Sequence, residues 1–286
     1  MEGSGITIKI LAPAKLNIRL KVTGRRPDGF HELVSIMVPV TLFDHLELTL
    51  THSGQITLTC LGLSVPDDHE NLVYRAATAF FSRTHLNQGL SLTLTKNIPV
   101  AAGLGGGSSD AACTLMALNE MYENPLTSRD LADMAIRLGA DVPFFILNRP
   151  CVARGIGEVL RPIEKWPKFW YVIVTPGFHV STSWVYENLK IKLTKDEYNF
   201  SMNTLERDPL TVSAFLENDL ETVTASHFPV INTIKKSLVD AGADGALMSG
   251  SGPSVFGIFG SRDHALSAKK DLLRKNLGDV FVVEGI

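Results

Sequence analysis

The chain has 286 residues, 45% of them apolar and 20% charged, with a formal net charge of −3. That length holds one large or two ordinary domains with a full core, and the near-neutral balance, with no basic run longer than Arg25-Arg26 or Lys269-Lys270, argues against nucleic acid as a partner. The longest apolar runs, such as residues 169–174, fall far short of the roughly 18 residues of a membrane span, no basic segment followed by an apolar one opens the chain, and three scattered cysteines (Cys60, Cys113, Cys151) fit a reduced cytosol and exclude a Cys-based zinc site. The expectation is a cytoplasmic protein with neither a nucleic-acid nor a membrane partner.

Residues 6–11 read as a short strand ending at Pro13. Residues 45–51 alternate, with Leu46, Leu48 and Leu50 on one face, and residues 55–60 repeat the pattern with Ile56, Leu58 and Cys60; Ser53-Gly54 between them predicts a hairpin. Residues 71–83 are amphipathic at helical spacing, and 90–94 alternate again before Lys96-Asn-Ile-Pro99. A glycine loop then leads into a helix over about 109–121. Thr127-Ser-Arg-Asp130 predicts a capping box for a helix over 127–138, with Leu131, Met134, Ala135 and Leu138 as its stripe and Gly139 as its C-cap. A second half begins near 155–163. In it, 169–175 is a buried strand, 230–241 a helix stopped by Gly242, 249–253 a second glycine turn, 254–259 a strand, 262–275 a helix and 280–283 a closing strand. The stretch 191–209 is polar, weakly periodic and reads as a connection. Strands and helices mix without the regular beat of a barrel, which predicts two α+β domains, divided as 1–157 and 158–286.

The loop from Pro99 to Ser109 carries the most chemistry. Gly103, Gly105, Gly106 and Gly107 remove the side chains that would hold an anion away from the backbone, and Ser108 and Ser109 add hydroxyls at a helix start. The bland alternative is a flexible strand-to-helix connection, but four glycines there would weaken the helix start for no return. The loop is no Walker A motif, because no lysine follows the glycines, and no dinucleotide fingerprint, because Ser108 replaces the third glycine. Protein-kinase markers are missing. Taken alone, Lys15 reads as a surface lysine, Asp141 as a turn residue and His31 as an exposed histidine. The histidines show no metal-ligand spacing, so the metal ligands stay unknown.

Together, three motifs resemble those of the GHMP kinases, small-molecule kinases related to galacto-, homoserine and mevalonate kinases. They are Pro13-Ala-Lys-Leu-Asn17, the loop with Gly103-Leu-Gly-Gly-Gly-Ser-Ser109, and Gly245-Ala-Leu-Met-Ser-Gly-Ser-Gly-Pro-Ser-Val-Phe256, in that order. The resemblance runs over nearly the whole chain. It implies an α+β two-domain GHMP kinase fold, with a ribosomal-protein-like N-terminal domain, a ferredoxin-like C-terminal domain and the active site between them. Thr23-Gly-Arg-Arg-Pro-Asp-Gly-Phe-His31, Asp68-His-Glu-Asn-Leu72 and Leu138-Gly-Ala-Asp-Val-Pro143 narrow the implied reaction. It is transfer of the ATP γ-phosphate to the 2-hydroxyl of a cytidyl-linked methylerythritol, in the non-mevalonate isoprenoid pathway. The alternatives are a GHMP kinase for another small alcohol and a catalytically silent nucleotide-binding regulator.

The resemblance implies roles residue by residue. Asp141 takes the proton of the acceptor hydroxyl, with Lys15 beside it. Pro99, Val100, Ala101, Ala102, Gly103, Leu104, Gly105, Gly106, Gly107, Ser108 and Ser109 hold the ATP phosphates, and Asn71 and Lys96 line the adenine pocket. Asn17 and His31 contact the substrate together with Asp141, and cytosine lies between Phe30, where the family has Tyr, and Tyr186. Mg2+ is expected with ATP. Asp110 would repel phosphates and is expected to point away from ATP.

Overall fold

The computed structural model describes residues 6–86, 88–190 and 215–286. The connection read at 191–209 lies outside the described residues. Two compact units emerge, each discontinuous in sequence: Met1–Ala14 with Leu42–Val100 and Gly105–Asn148, and Lys15–Thr41 with Ala101–Leu104 and Arg149–Ile286. The chain passes from one to the other within two long strands, β1 (Thr7–Arg25) and β2 (His31–Thr51). The strand read at 6–11 therefore does not end at Pro13. Every residue from Ala12 to Ile18 is buried, and proline's fixed φ is compatible with extended backbone at the cost of one amide donor, so the burial carries the strand through.

In the first unit, β2 pairs antiparallel over His45–Thr51 with β4 (Gly89–Lys96), and β3 (Ile56–Gly62) pairs parallel with β4. The hairpin predicted over 45–60 does not form, because β4 lies between its two arms. Helix α1 (Leu72–Thr84) is the crossover that a parallel β3–β4 pair requires. Alternation sets which face of a strand is buried, not which strand pairs with it, and Leu90, Leu92 and Leu94 are all fully buried or nearly so.

Helix α1 starts at its N-cap Asn71, whose side chain accepts the Val73 amide. Helix α2 (Gly106–Met121) begins three residues earlier than read, with Gly106 and Gly107 in its first turn. It is buried nearly all round, as a central helix is, and packs against α1, α3 (Ser128–Leu138) and α4 (Val142–Leu147). The capping box of α3 is present in both directions between Thr127 and Asp130. Gly139 follows with φ 171°, extended backbone that leads straight into α4.

In the second unit, β5 (Cys151–Gly155) pairs antiparallel with β2 at Leu33–Met37 and with β6 (Val159–Pro162). An antiparallel sheet is built from β7 (Trp170–Thr175), β9 (Gly245–Met248), β10 (Val255–Phe259) and β11 (Asp279–Glu284), in the order β11-β7-β10-β9. Ahead of β9 come α5 (Thr182–Glu187), the short β8 (Glu217–Asn218) paired parallel with β1, α6 (Asp219–His227) and α7 (Val230–Asp240); α8 (Arg262–Arg274) joins β10 to β11. Helices α7 and α8 pack on the sheet through Ile231, Ile234, Leu238, Ala265, Ala268 and Leu272. That strand order, with a helix before β9 and another after β10, is the ferredoxin-like βαββαβ arrangement. The elements α5, α6 and β8 are too short to show a period in the sequence. Among the described residues no helix is long and apolar enough to cross a membrane.

Candidate active site

In the first unit, strand β4 delivers Lys96 into a buried ion cluster. Its ammonium pairs with Asp44 on β2 and with Asp110 on α2, the latter at 2.8 Å. The other oxygen of Asp44 accepts the amides of Asn97 and Ile98 at 2.6 and 2.9 Å, which fixes the chain where it leaves β4 for the glycine loop. Burial works against the Lys96 charge, but Asp110 and Asp44 outweigh it and hold the lysine above its ordinary pKa. Burial pushes the Asp110 carboxyl up to about 8, against the pull of Lys96 and with the repulsion of Asp44 adding to it.

Above this cluster α2 begins. Its N-cap is Gly105 at φ 72°, with no side-chain cap on the helix start, so the leading amides stay available to an anion. The two glycines of the first turn have different reasons. A Cβ on Gly106 would lie 2.9 Å from the Lys96 ammonium and 3.0 Å from Ile98, so packing requires glycine there. A Cβ on Gly107 would meet only Leu72, at 3.7 Å; the fold has room for a side chain, and its absence clears a path to the backbone. Ser108 has its hydroxyl 3.9 Å from the place a Gly139 Cβ would occupy. That puts it beside the turn Gly139-Ala-Asp-Val142, where the Val142 amide donates to Gly139 and Asp141 holds the N-cap position of α4. The Asp141 side chain does not cap that helix. Asp141 is thus the turn residue its sequence position suggests, in a turn that also receives Ser108.

In the second unit, Lys15 and Asn17 lie on one face of β1. Lys15 is 4% exposed, so the surface reading of this lysine is corrected: its ammonium donates to the Asn17 side chain, and its backbone amide donates to Leu104 of the glycine loop at 2.9 Å. The Asn17 amide group continues to Ser35 at 2.8 Å, and its backbone amide reaches the Ser249 hydroxyl, which donates to Gly103. Gly103, at φ +77°, is pressed on the third motif: a Cβ there would lie 2.1 Å from the Ser249 carbonyl oxygen. Gly250, at φ +57°, faces the other way, and a Cβ there would lie 3.2 Å from the Asn17 oxygen and 3.4 Å from the Lys15 ammonium. The first and third motifs and Ala101–Leu104 of the second therefore form one hydrogen-bonded block.

Elsewhere in this unit, Phe30 projects from a turn closed by Arg26 and Asp28 and is 58% exposed. Tyr186 on α5 stacks on the ring of His31, with centroids 5.0 Å apart and 22° between planes. Burial and the nearby Arg25 charge lower the His31 pKa. Tyr186 thus reaches the Phe30-His31 turn through the histidine. The two residues read as adenine-lining are engaged by protein: Asn71 caps α1 and donates to the Pro66 carbonyl at 2.6 Å, and Lys96 serves the ion cluster. Asp110, 1% exposed, turns inward onto Lys96. Sequence reasoning passed over Asp44, a single acid among apolar strand residues with nothing to announce a partner fifty residues on. Burial pushes the Cys113 and Cys151 thiols up to about 12, which makes them inert. Among the described residues no three His, Cys, Asp or Glu side chains cluster as metal ligands.

An uncapped glycine helix start with an aspartate turn beside it, and a buried lysine on β1, are features that a small-molecule kinase needs. The family profiles agree: GHMP kinases N terminal domain matches residues 71–149 and GHMP kinases C terminal matches residues 203–278. The chain belongs to the GHMP kinase family. The 4-diphosphocytidyl-2-C-methyl-D-erythritol kinase of Syntrophotalea carbinolica is 47% identical over 276 residues, which is 96% of this chain and 98% of that protein. The protein of the same name from Geobacter metallireducens is 47% identical over 97% of each chain. A crystal structure of 4-(cytidine 5'-diphospho)-2C-methyl-D-erythritol kinase has a TM-score of 0.83 at 35% identity, covering 97% of this chain and 99% of that one. Homoserine kinase from Cytophaga hutchinsonii shares the fold, with a TM-score of 0.76 at 21% identity over 99% of this chain and 96% of its own.

Proposed function

We infer that this chain transfers the γ-phosphate of ATP to the 2-hydroxyl of 4-diphosphocytidyl-2-C-methyl-D-erythritol, a step of non-mevalonate isoprenoid synthesis. The observation that carries this reading is 47% identity over nearly the full length of relatives bearing that name. The acceptor oxygen attacks the γ-phosphorus, the bond to the bridging β-phosphate oxygen breaks, and ADP leaves. The hydroxyl proton passes to the Asp141 carboxylate, a transfer worth about 10²–10⁴-fold in rate. The Lys15 ammonium, oriented by Asn17, favours the developing alkoxide.

The loop from Pro99 to Ser109 holds the phosphates, with Gly107 as the point of closest backbone approach. Asn71 and Lys96 shape the adenine side through the bonds that fix the Pro66–Asn71 loop and the end of β4. Phe30 offers an exposed ring for cytosine, where stacking needs no phenol, and Tyr186 with His31 forms the facing wall; Asn17 and His31 contact the rest of the substrate. Residues 1–157 then carry the ATP side together with Asn17, Phe30 and His31 of the substrate side, and 158–286 add Tyr186 to the latter. Mg2+ fits the α2 start as a phosphate-bound ion: Ser108 offers one hydroxyl oxygen there, and Mg2+ is ordinarily held by substrate phosphates and water. When bound it neutralises phosphate charge.

The test is ADP release from ATP and Mg2+ in the presence of a panel of alcohols: the cytidyl-linked methylerythritol, homoserine and mevalonate. Release that depends on the cytidyl compound supports the reading. Release with homoserine or mevalonate alone assigns a different acceptor, and release with none leaves a nucleotide-binding protein without this activity.

A further inference from the structure

We infer that Asn218 is a positioning residue for Lys15 and Asn17, acting through the glycine turn of the third motif; the inference rests on the phosphoryl-transfer reading above. Asn218 ends β8, directly opposite Leu20 of β1, and is 6% exposed. Its side chain bonds through both its nitrogen and its oxygen. The amide nitrogen donates to the carbonyls of Met248 at 2.8 Å and Gly250 at 2.7 Å, and its oxygen accepts the Leu220 amide at 3.0 Å to cap α6. An asparagine amide has two hydrogens to give; one goes to Met248 at the end of β9 and the other to Gly250 in the turn that follows.

The turn is held at neighbouring points by the same short segment. Glu221 accepts the Met248 amide at 2.8 Å, and the Thr224 hydroxyl donates to the Ser251 carbonyl at 3.2 Å. What this fixes is the wall against Lys15. A Cβ on Gly250 would meet the Asn17 oxygen at 3.2 Å and the Lys15 ammonium at 3.4 Å, so this glycine borders both groups, and Ser249 accepts the Asn17 backbone amide while donating to Gly103. A displaced Gly250 carbonyl would therefore shift the groups that orient the Lys15 charge. Misplacement of a reacting group by about 1 Å costs on the order of 10²-fold in rate.

Asn218→Asp separates this role from simple capping. The aspartate keeps an oxygen for the Leu220 amide, so α6 stays capped, but it turns both donors into acceptors facing two carbonyls. In the full chain with ATP, Mg2+ and the cytidyl substrate, kcat is expected to fall on the order of 10²-fold, with KM for ATP unchanged. Thr224→Val, which deletes one tether of the same turn without adding charge, is expected to lower kcat less, again with KM for ATP unchanged, and it decides the matter if Asn218→Asp does not fold. Wild-type kcat in the folded Asn218→Asp chain, or in Thr224→Val where the first is insoluble, overturns the inference. So does a joint loss of kcat, ATP affinity and melting temperature, the mark of a purely structural residue. If the wild-type chain run alongside releases no ADP with the cytidyl substrate, the functional reading itself falls and this inference with it.

Discussion

Asp110 has a carboxyl where water hardly reaches, one turn into the helix that would receive phosphate. It shares Lys96 with Asp44, so two acids face one cation in a buried space. With its pKa raised from 3.8 to about 8, Asp110 keeps its proton at neutral pH, and the cluster avoids a second negative charge under the phosphate site. The folded chain then holds a proton that the unfolded chain has released, so this contribution to stability is full below pH 3.8, declines as pH rises and is gone above about 8. Asp110→Asn mimics the protonated acid without titrating. Its melting temperature should fall less than that of the wild type between pH 6 and pH 9; parallel curves would show that Asp110 is ionised throughout. Asp141→Asn tests the proton acceptor. Turnover should drop by about 10²–10⁴-fold while ATP binding, read by calorimetry, is retained, and near-normal turnover would remove Asp141 from that role. At this scale the sequence was legible only in company. Lys15 alone reads as a surface residue, and its burial becomes intelligible through Pro13-Ala-Lys-Leu-Asn17 and its bonds to Asn17 and Leu104. Asp44 and Asn218 stayed invisible because a single polar residue in a strand gives no sign of a partner far along the chain.

Among the elements, α3 was legible to the residue because its capping box is written locally in Thr127 and Asp130. The β2–β3 hairpin was misread for the opposite reason: pairing is set by long-range packing, and alternation fits a hairpin and a split βαβ unit equally well. The glycine loop lies between these cases. Its composition announced an anion site, but only the packing separates its glycines by duty: Gly103 for contact with Ser249, Gly106 for Lys96, and Gly107 for open space. Gly103→Ala is expected to be severe, since its Cβ would lie 2.1 Å from a backbone oxygen at φ +77°. Gly54→Ala is the control, also at positive φ, +68°, with nothing within 4 Å of its Cβ; it should cost only the backbone strain of about 1–2 kcal/mol. Thermal melts and ATP titrations of the two variants check this. Equal losses would show that the contact between the second and third motifs is not tight.

For the molecule as a whole, the α+β class and the ferredoxin-like sheet order follow from elements that are mostly visible in the sequence. The compact units do not follow its linear halves, because β1 and β2 each run through both. The GHMP fold is shared with kinases of other alcohols, homoserine kinase among them, so fold alone does not choose the acceptor; the near-full-length likeness to relatives of one name does. The most direct test is to give the chain ATP, Mg2+ and equal amounts of the cytidyl-linked methylerythritol, homoserine and mevalonate in one tube, and to identify the product by phosphorus NMR. The account predicts one new phosphomonoester, on the 2-hydroxyl of the cytidyl compound, with its diphosphate intact. A phosphorylated homoserine or mevalonate, or phosphate on another hydroxyl of the cytidyl compound, would contradict it.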